Sequence, residues 1–284
     1  MIKLGLIGYP LSHSISAYIH KAAFESVNLQ GEYEVLETDP EDLIDRIKFL
    51  KSRGYQGFNV TIPLKVPITL FLDQVDEISN IAGCSNTVKI MPDRSLYGYN
   101  TDVYGFVQGI PKETRASLAD KKVAVLGNGG AARAVAVGLA SLKVKEIDFY
   151  VRNIINASNM MSIIRENFPD IKINSKQLQN INDLSSYAML VNTTPIGMRG
   201  KAMGLSPLEE SIIKTLPKDA LVYDIVYNPI KTELIKQAES ADIQAIGGLD
   251  MLVYQAAKSF EIWTGKTPDV CKMKIAALES LANT

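Results

Sequence analysis

The stretch Gly127-Asn128-Gly129-Gly130-Ala131-Ala132 constrains this chain more than any other. An apolar run, Lys122-Val-Ala-Val-Leu126, stands before it, and a small-residue run through Ala134, Val135, Val137 and Leu139 follows. Strand, glycine turn and helix in that order make one folding unit: Gly127 permits the tight turn, and Gly129 lets backbone approach a ligand closely. Ala132 stands where a third glycine would and is small enough for helix to pack on strand. A helix opening at such a turn presents N–H groups and partial positive charge, which suits phosphate. A dinucleotide-binding unit is therefore expected here.

Strand-like and helix-like runs alternate along nearly the whole chain, whose 284 residues suffice for two domains of ordinary size. In the first block, Ile2–Ile7, Tyr33–Glu37 and Gly57–Thr61 read as strands, with helices from Ser14 or Ser16 to Asn28 and over Glu41–Lys51. Asn86–Met91 and Ser95–Tyr99 read as a hairpin turning at Pro92-Asp93. After a polar linker, Pro111–Lys121, the βα alternation resumes and predicts a doubly wound parallel sheet. The closing runs, Leu249–Thr264 and Val270–Leu281, are helical with no strand to follow. The expected architecture is two-domain α/β. A mixed α/β substrate domain (1–110) precedes a Rossmann-type dinucleotide-binding domain (111–247), and C-terminal helices (248–284) return to the first.

Charge excludes several partners. Thirty lysines and arginines against 31 acidic residues give no basic field for nucleic acid or an anionic membrane. No apolar stretch is long enough to cross a bilayer, and Pro10 and Ser12-His13-Ser14 cut short the apolar start, so it reads as a strand rather than a signal. Cys84 and Cys271 fit reduced thiols in a cytoplasm. With only His13 and His20 besides, no metal-ligand spacing exists and no metal is expected.

In such folds an acidic residue at the tip of the second strand meets the ribose of NAD, whereas arginine suits the 2′-phosphate of NADP. That tip reads Tyr150-Val151-Arg152-Asn153, and Asp148 lies too early in the strand to serve. NADP rather than NAD is expected. Val191-Asn192-Thr193-Thr194-Pro195 ends a further strand and should line the cofactor crevice. In the first block, four polar segments follow successive strands: Ser12–Ser16, Asn59–Lys65, Ser85–Thr87 and Asn100–Asp102. Each alone is ordinary turn or cap chemistry. Together, facing a dinucleotide domain, they predict a cleft for a small hydroxyl-rich ligand carrying a carboxylate.

These segments resemble the shikimate dehydrogenase family over essentially the full length. The motifs are His13-Ser14-Ile15-Ser16, Asn59-Val-Thr61-Ile-Pro63-Leu-Lys65, Asn86-Thr87, Gly98-Tyr-Asn100-Thr-Asp102-Val-Tyr-Gly105, Gly127-Asn-Gly129-Gly130-Ala131 and Asn192-Thr-Thr-Pro195. Asp224-Ile-Val-Tyr227-Asn-Pro229 and Gly247-Gly248-Leu249-Asp250-Met251-Leu-Val-Tyr-Gln255 complete the set. The resemblance implies reversible NADP-dependent reduction of 3-dehydroshikimate to shikimate in aromatic amino-acid biosynthesis, by a monomer or homodimer. By the same resemblance Lys65 and Asp102 are the catalytic pair, Ser14, Ser16 and Tyr227 hold the substrate carboxylate, and Thr61, Asn86 and Gln255 bind ring hydroxyls. Gly127, Gly129, Gly130, Ala131, Arg152, Asn153, Thr193 and Thr194 fall to the cofactor, with Gly247 and Met251 near its nicotinamide.

The chain departs from the family pattern at three places. Ala17 replaces the usual proline after the second serine, Val151-Arg152-Asn153 replaces Asn-Arg-Thr, and Asn156 stands where a second basic residue often follows. These bear on helix entry and cofactor preference, not on catalysis. Three alternatives stay open: a quinate/shikimate dehydrogenase using NAD, a folate-type dehydrogenase, and a silent sensor that binds without turnover.

Overall fold

The computed structural model describes residues 1–200 and 202–283. The chain divides into two compact units: residues 1–105 with the segment from Val253 onward, and Phe106–Leu252. These unit boundaries, at 105/106 and 252/253, lie five residues from the expected domain boundaries at 110/111 and 247/248. The cause is local, because helices Asp102–Gly109 and Leu249–Thr264 run unbroken through both changeovers and no loop marks them.

The first unit contains β1 (Ile2–Gly8), α1 (Ser16–Ser26), β2 (Gly31–Glu37), α2 (Leu43–Ser52), β3 (Gly57–Val60), β4 (Gln74–Val75), α3 (Glu77–Ala82), β5 (Thr87–Ile90) and β6 (Leu96–Tyr99), and α4 (Asp102–Gly109) begins in it. Its six-stranded sheet has the order β2-β1-β3-β5-β6-β4. β1 runs parallel to β2 and β3, whereas β5 is antiparallel to both β3 and β6. That reversal places the start of β5 beside the ends of β3 and β6. On α2 the apolar residues at Leu43, Ile47 and Leu50 are buried on one helical stripe, against Phe58, Val60 and Val88 of the sheet. Each such side chain contributes about 1.5–3 kcal/mol by leaving water. β4 was not expected, since two residues carry no periodicity.

The second unit contains α5 (Lys112–Ser117), β7 (Lys122–Leu126), α6 (Gly130–Ser141), β8 (Glu146–Val151), α7 (Ile154–Asn167), β9 (Lys172–Gln177), β10 (Met189–Asn192), α8 (Glu210–Ile213), β11 (Leu221–Asp224), α9 (Glu233–Ser240) and β12 (Gln244–Ile246). Its sheet is wholly parallel, in the order β12-β11-β10-β7-β8-β9, the doubly wound arrangement expected. α5 lies inside the stretch expected to be a linker; none of its residues is buried, so its sequence carries no apolar stripe. α10 (Leu249–Thr264) and α11 (Val270–Ala282) close the chain, and α11 packs on α1. No helix among the described residues is long and apolar enough to cross a membrane.

In the first unit, His20 is fully buried and stacks on Tyr33, with ring centroids 4.0 Å apart. Burial lowers its pKa to about 3, against a smaller opposing contribution from Asn59. The unfolded chain therefore takes up a proton near pH 6.5 that the folded chain refuses until about pH 3. Stability from this group is complete above pH 6.5 and drains away as pH falls through that window. Between pH 7 and pH 5 the loss is roughly 2 kcal/mol. Urea midpoints at the two pH values are expected to fall more steeply for the wild-type chain than for His20→Phe. Parallel losses in both would show that His20 does not set the acid limit.

Candidate active site

The ends of β3 and β6 and the start of β5 meet at one end of the first sheet's central strands and deliver the polar side chains. β3 ends in Thr61-Ile62-Pro63-Leu64-Lys65, a turn closed by Leu64 N–H donating to Thr61 O at 2.8 Å and anchored by the fully buried Leu64. Thr61 N–H donates to Ile7 O of β1 at 2.9 Å, and Ser85 N–H to Lys65 O at 2.9 Å. Asp102 opens α4 just beyond β6, where a carboxylate is favoured by the helix dipole. Lys65 Nζ donates to Asp102 Oδ2 at 2.5 Å. The lysine side chain is 16% exposed and the aspartate 6%, so the pair is mostly shielded while the ammonium stays reachable. This is its only hydrogen bond among the described residues, which leaves N–H donors for a ligand.

Asn86 fixes the other end of the carboxylate. Its Nδ2 lies 2.8 Å from Asp102 Oδ1, 2.9 Å from Thr101 Oγ1 and 3.1 Å from Gln255 Oε1, while its Oδ1 accepts from Thr101 N–H at 2.7 Å. Four of the residues that the resemblance assigns, Lys65, Asp102, Asn86 and Gln255, are thus joined in one network. Beneath them lies a buried polar layer in which Asn59, Thr87 and Thr101 belong to the polar segments singled out in the sequence and Ser259 does not. Ser259 Oγ is 2.7 Å from Thr87 Oγ1 and 3.0 Å from Thr101 Oγ1, and Asn59 Nδ2 donates to Asn86 O, Thr87 Oγ1 and Ser259 Oγ. Its signal was available: Ser259 sits four residues after Gln255, on the same face of α10. Ser14 and Ser16 lie at the start of α1, with Ser16 N–H 3.3 Å from Ser14 Oγ. Thr61 is half-buried beyond β3.

The remaining assigned residues belong to the second unit. Gly127 follows β7 with φ +107°, and a Cβ there would meet Thr193 Oγ1 at 2.7 Å. The turn is held by Gly127 N–H to Tyr150 O at 2.9 Å and Thr193 N–H to Leu126 O at 3.0 Å. β7 and β10 adjoin where the strand order reverses, the place at which open α/β sheets bind ligands. Gly129 caps α6, meets nothing within 4 Å of where a Cβ would sit, and no side chain caps that helix. The open space at Gly129, at the start of α6, is what a phosphate-binding turn requires. Ala132 is fully buried, as close helix–strand packing requires.

At the tip of β8, Arg152 is exposed, whereas the Oδ1 of Asn153 accepts from Ile155 N–H at 2.9 Å and Asn156 N–H at 3.3 Å as the cap of α7. Asp148 is fully buried and ion-paired with Lys122 at 3.0 Å and Lys176 at 2.7 Å. Burial raises its carboxyl, but hydrogen bonds from Lys176, Tyr187, Asn174 and Lys122 outweigh that and hold it below the usual carboxylate range. No carboxylate is left at the strand tip to select a ribose 2′-hydroxyl, and the site fits NADP. Tyr227 is half-buried in this unit, its phenol raised by burial, while Ser14 and Ser16 belong to the first. Met251 is buried. Gly248, beside Gly247, donates to Val226 O at 3.0 Å, and its own Cβ would fall 1.9 Å from Ile225 O. Only glycine allows that approach. Among the described residues no cluster could hold a metal ion.

A parallel doubly wound sheet with a glycine turn at its switch point, together with a mixed sheet carrying a lysine–aspartate pair, defines the two-unit α/β dehydrogenases as a class. A family model of the shikimate dehydrogenase substrate binding domain matches residues 6–88, and one of the shikimate 5′-dehydrogenase C-terminal domain matches 248–278. The shikimate dehydrogenase (NADP(+)) of Bacillus cereus is 35% identical over 277 residues, 98% of each chain. Thermus thermophilus shikimate 5-dehydrogenase, solved with NADP(H) and shikimate, is 31% identical with a TM-score of 0.85, covering 99% of this chain and 100% of that one. Corynebacterium glutamicum quinate dehydrogenase, solved with NAD, is 30% identical with a TM-score of 0.88, covering 98% and 99%. The chain belongs to the shikimate dehydrogenase family.

Proposed function

We propose that this chain catalyses the reversible NADP-dependent reduction of 3-dehydroshikimate to shikimate in aromatic amino-acid biosynthesis, with Lys65 and Asp102 as the catalytic pair. NADPH, when bound, supplies the hydride that reduces the carbonyl carbon. Lys65 holds the proton destined for the carbonyl oxygen, and its charge stabilises the alkoxide that develops there. Asp102, fixed at Oδ1 by Asn86 and at Oδ2 by Lys65, keeps the ammonium aimed. Asn86, Gln255 and Thr61 pair with ring hydroxyls, and Ser14, Ser16 and Tyr227 take the carboxylate. The single observation that carries this reading is the 2.5 Å Lys65–Asp102 contact within a shielded, hydrogen-bonded network. The enzyme works in the cytoplasm on a small molecule, as a monomer or homodimer, and not on nucleic acid.

Gly127, Gly129, Gly130 and Ala131 cradle the pyrophosphate, Thr193 and Thr194 line the same turn, Gly247 and Met251 adjoin the nicotinamide, and Arg152 faces the 2′-phosphate. With its Oδ1 committed to α7, Asn153 contributes backbone or Nδ2 only, and preference for NADP falls chiefly on Arg152. Arg152→Ala is expected to raise the KM for NADP about 10- to 100-fold, the loss of one charge-assisted contact, and to leave that for NAD within a few-fold. Equal effects on the two cofactors would remove Arg152 from the phosphate.

A second reading, oxidation of quinate with NAD, is favoured by the similarity to the quinate dehydrogenase. Measuring kcat/KM for shikimate and quinate, each with NADP and NAD, separates the two. Dominance of the shikimate–NADP combination supports the proposal, and dominance of quinate with NAD replaces it.

A further inference from the structure

Asn192 and Asp224 are register partners, the last residues of neighbouring strands β10 and β11, and both are fully buried. The Oδ1 of Asp224 accepts from Asn192 Nδ2 at 2.9 Å and from Val226 N–H at 3.1 Å, while its Oδ2 accepts from Thr232 Oγ1 at 2.7 Å. The Oδ1 of Asn192 in turn accepts from Thr194 N–H at 3.0 Å and Thr194 Oγ1 at 2.7 Å, and its Nδ2 also donates to Ile196 O at 3.2 Å.

We propose that Asp224 is a positioning residue for the dinucleotide, acting through Asn192 to fix the Thr193–Thr194 turn. An amide has two nearly isosteric orientations, one presenting oxygen to the turn and the other nitrogen. A carboxylate can only accept, so Asp224 obliges Asn192 to point its NH2 inward and its oxygen at Thr194. The same turn packs on Gly127, where Thr193 Oγ1 fills the space a side chain would take. Burial pushes the Asp224 carboxyl up to about 6, despite hydrogen bonds from Thr232, Val226 and Asn192. A group so costly to bury charged is an expensive choice for mere packing, since an apolar residue would fill the space without that penalty. The inference rests on the reading of Thr193 and Thr194 as lining the cofactor turn.

The test measures KM and Kd for NADP, kcat and Tm in Asp224→Ala, Asp224→Asn, Asn192→Ala, the Asp224→Ala/Asn192→Ala double variant and Thr232→Val. Asp224→Ala and Asn192→Ala are each expected to raise KM and Kd about tenfold, and the double variant no further, because both break one linkage. In Asp224→Asn the Val226 N–H, which donates to the same oxygen as Asn192, holds an amide oxygen facing Asn192, and both constants should return to within about threefold of wild type. Thr232→Val removes a bond to Oδ2 and the cap of α9, so it should lower Tm without raising either constant.

Asp224→Ala that melts lower yet binds NADP as wild type does would overturn the proposal. So would Asp224→Asn as impaired as the alanine variant. Should Asp224→Ala not fold, Asn192→Ala decides, and an unchanged KM there overturns the proposal. Failure of the wild-type chain itself to bind NADP would instead overturn the functional reading beneath it.

Discussion

Replacing Lys65 by alanine is expected to lower kcat by roughly two to four decades, the contribution of a positioned general acid–base group. The KM for shikimate should move by no more than a few-fold, because the proposed reading gives the ring hydroxyls and carboxylate to other side chains. Loss falling on kcat rather than KM marks an interaction made mainly in the transition state. The variant should fold, since Asp102 keeps its hydrogen bond from Asn86 and the lysine occupies a partly exposed position. Asp102→Ala should lower kcat too, by removing the group that aims the ammonium. Wild-type kcat in Lys65→Ala at every pH from 6 to 10 would take the proton-transfer role away from this residue.

The second large effect is expected from Gly127→Val. The position needs φ +107°, which a β-branched residue adopts only with strain, and the new Cβ would press on Thr193 Oγ1 from 2.7 Å. Strain of this kind costs about 1–3 kcal/mol before any steric term. Relief would come by shifting the turn that is to hold the pyrophosphate. Affinity for NADP should therefore fall by at least about tenfold, and Tm should fall with it. Shikimate binding, assigned to the first unit apart from Tyr227, should be little changed. Titration of the variant with NADP checks this, and unaltered affinity would show that the dinucleotide does not approach this turn.

The parts of the fold legible in the sequence were those with strong local patterning. β7, the Gly127 turn and α6 announce themselves through an apolar run, glycines and a small-residue helix, and the parallel sheet follows from alternation. β4, two residues long, and α5, with no buried face, carry no such pattern. The unit boundaries leave no local mark in the sequence because α4 and α10 cross them as continuous helices, and a helix reads alike on both sides. Lys65 and Asp102 were legible as members of polar segments expected to share a cleft, and their pairing only through motif resemblance: 36 residues separate them in sequence, and only the antiparallel setting of β5 brings the ends of β3 and β6 together. Buried polar partners were the hardest to see. Ser259 and Asp224 read as a helix serine and a strand-end aspartate until their acceptors and donors, far along the chain, are in place.

The measurement that bears most directly on the central claim is the initial rate of NADP reduction when the purified, folded chain meets shikimate, followed by nicotinamide absorbance with the product identified. Rapid, shikimate-dependent formation of NADPH and 3-dehydroshikimate, lost in Lys65→Ala, is the predicted result. No NADPH from a folded chain that still binds the dinucleotide would contradict it.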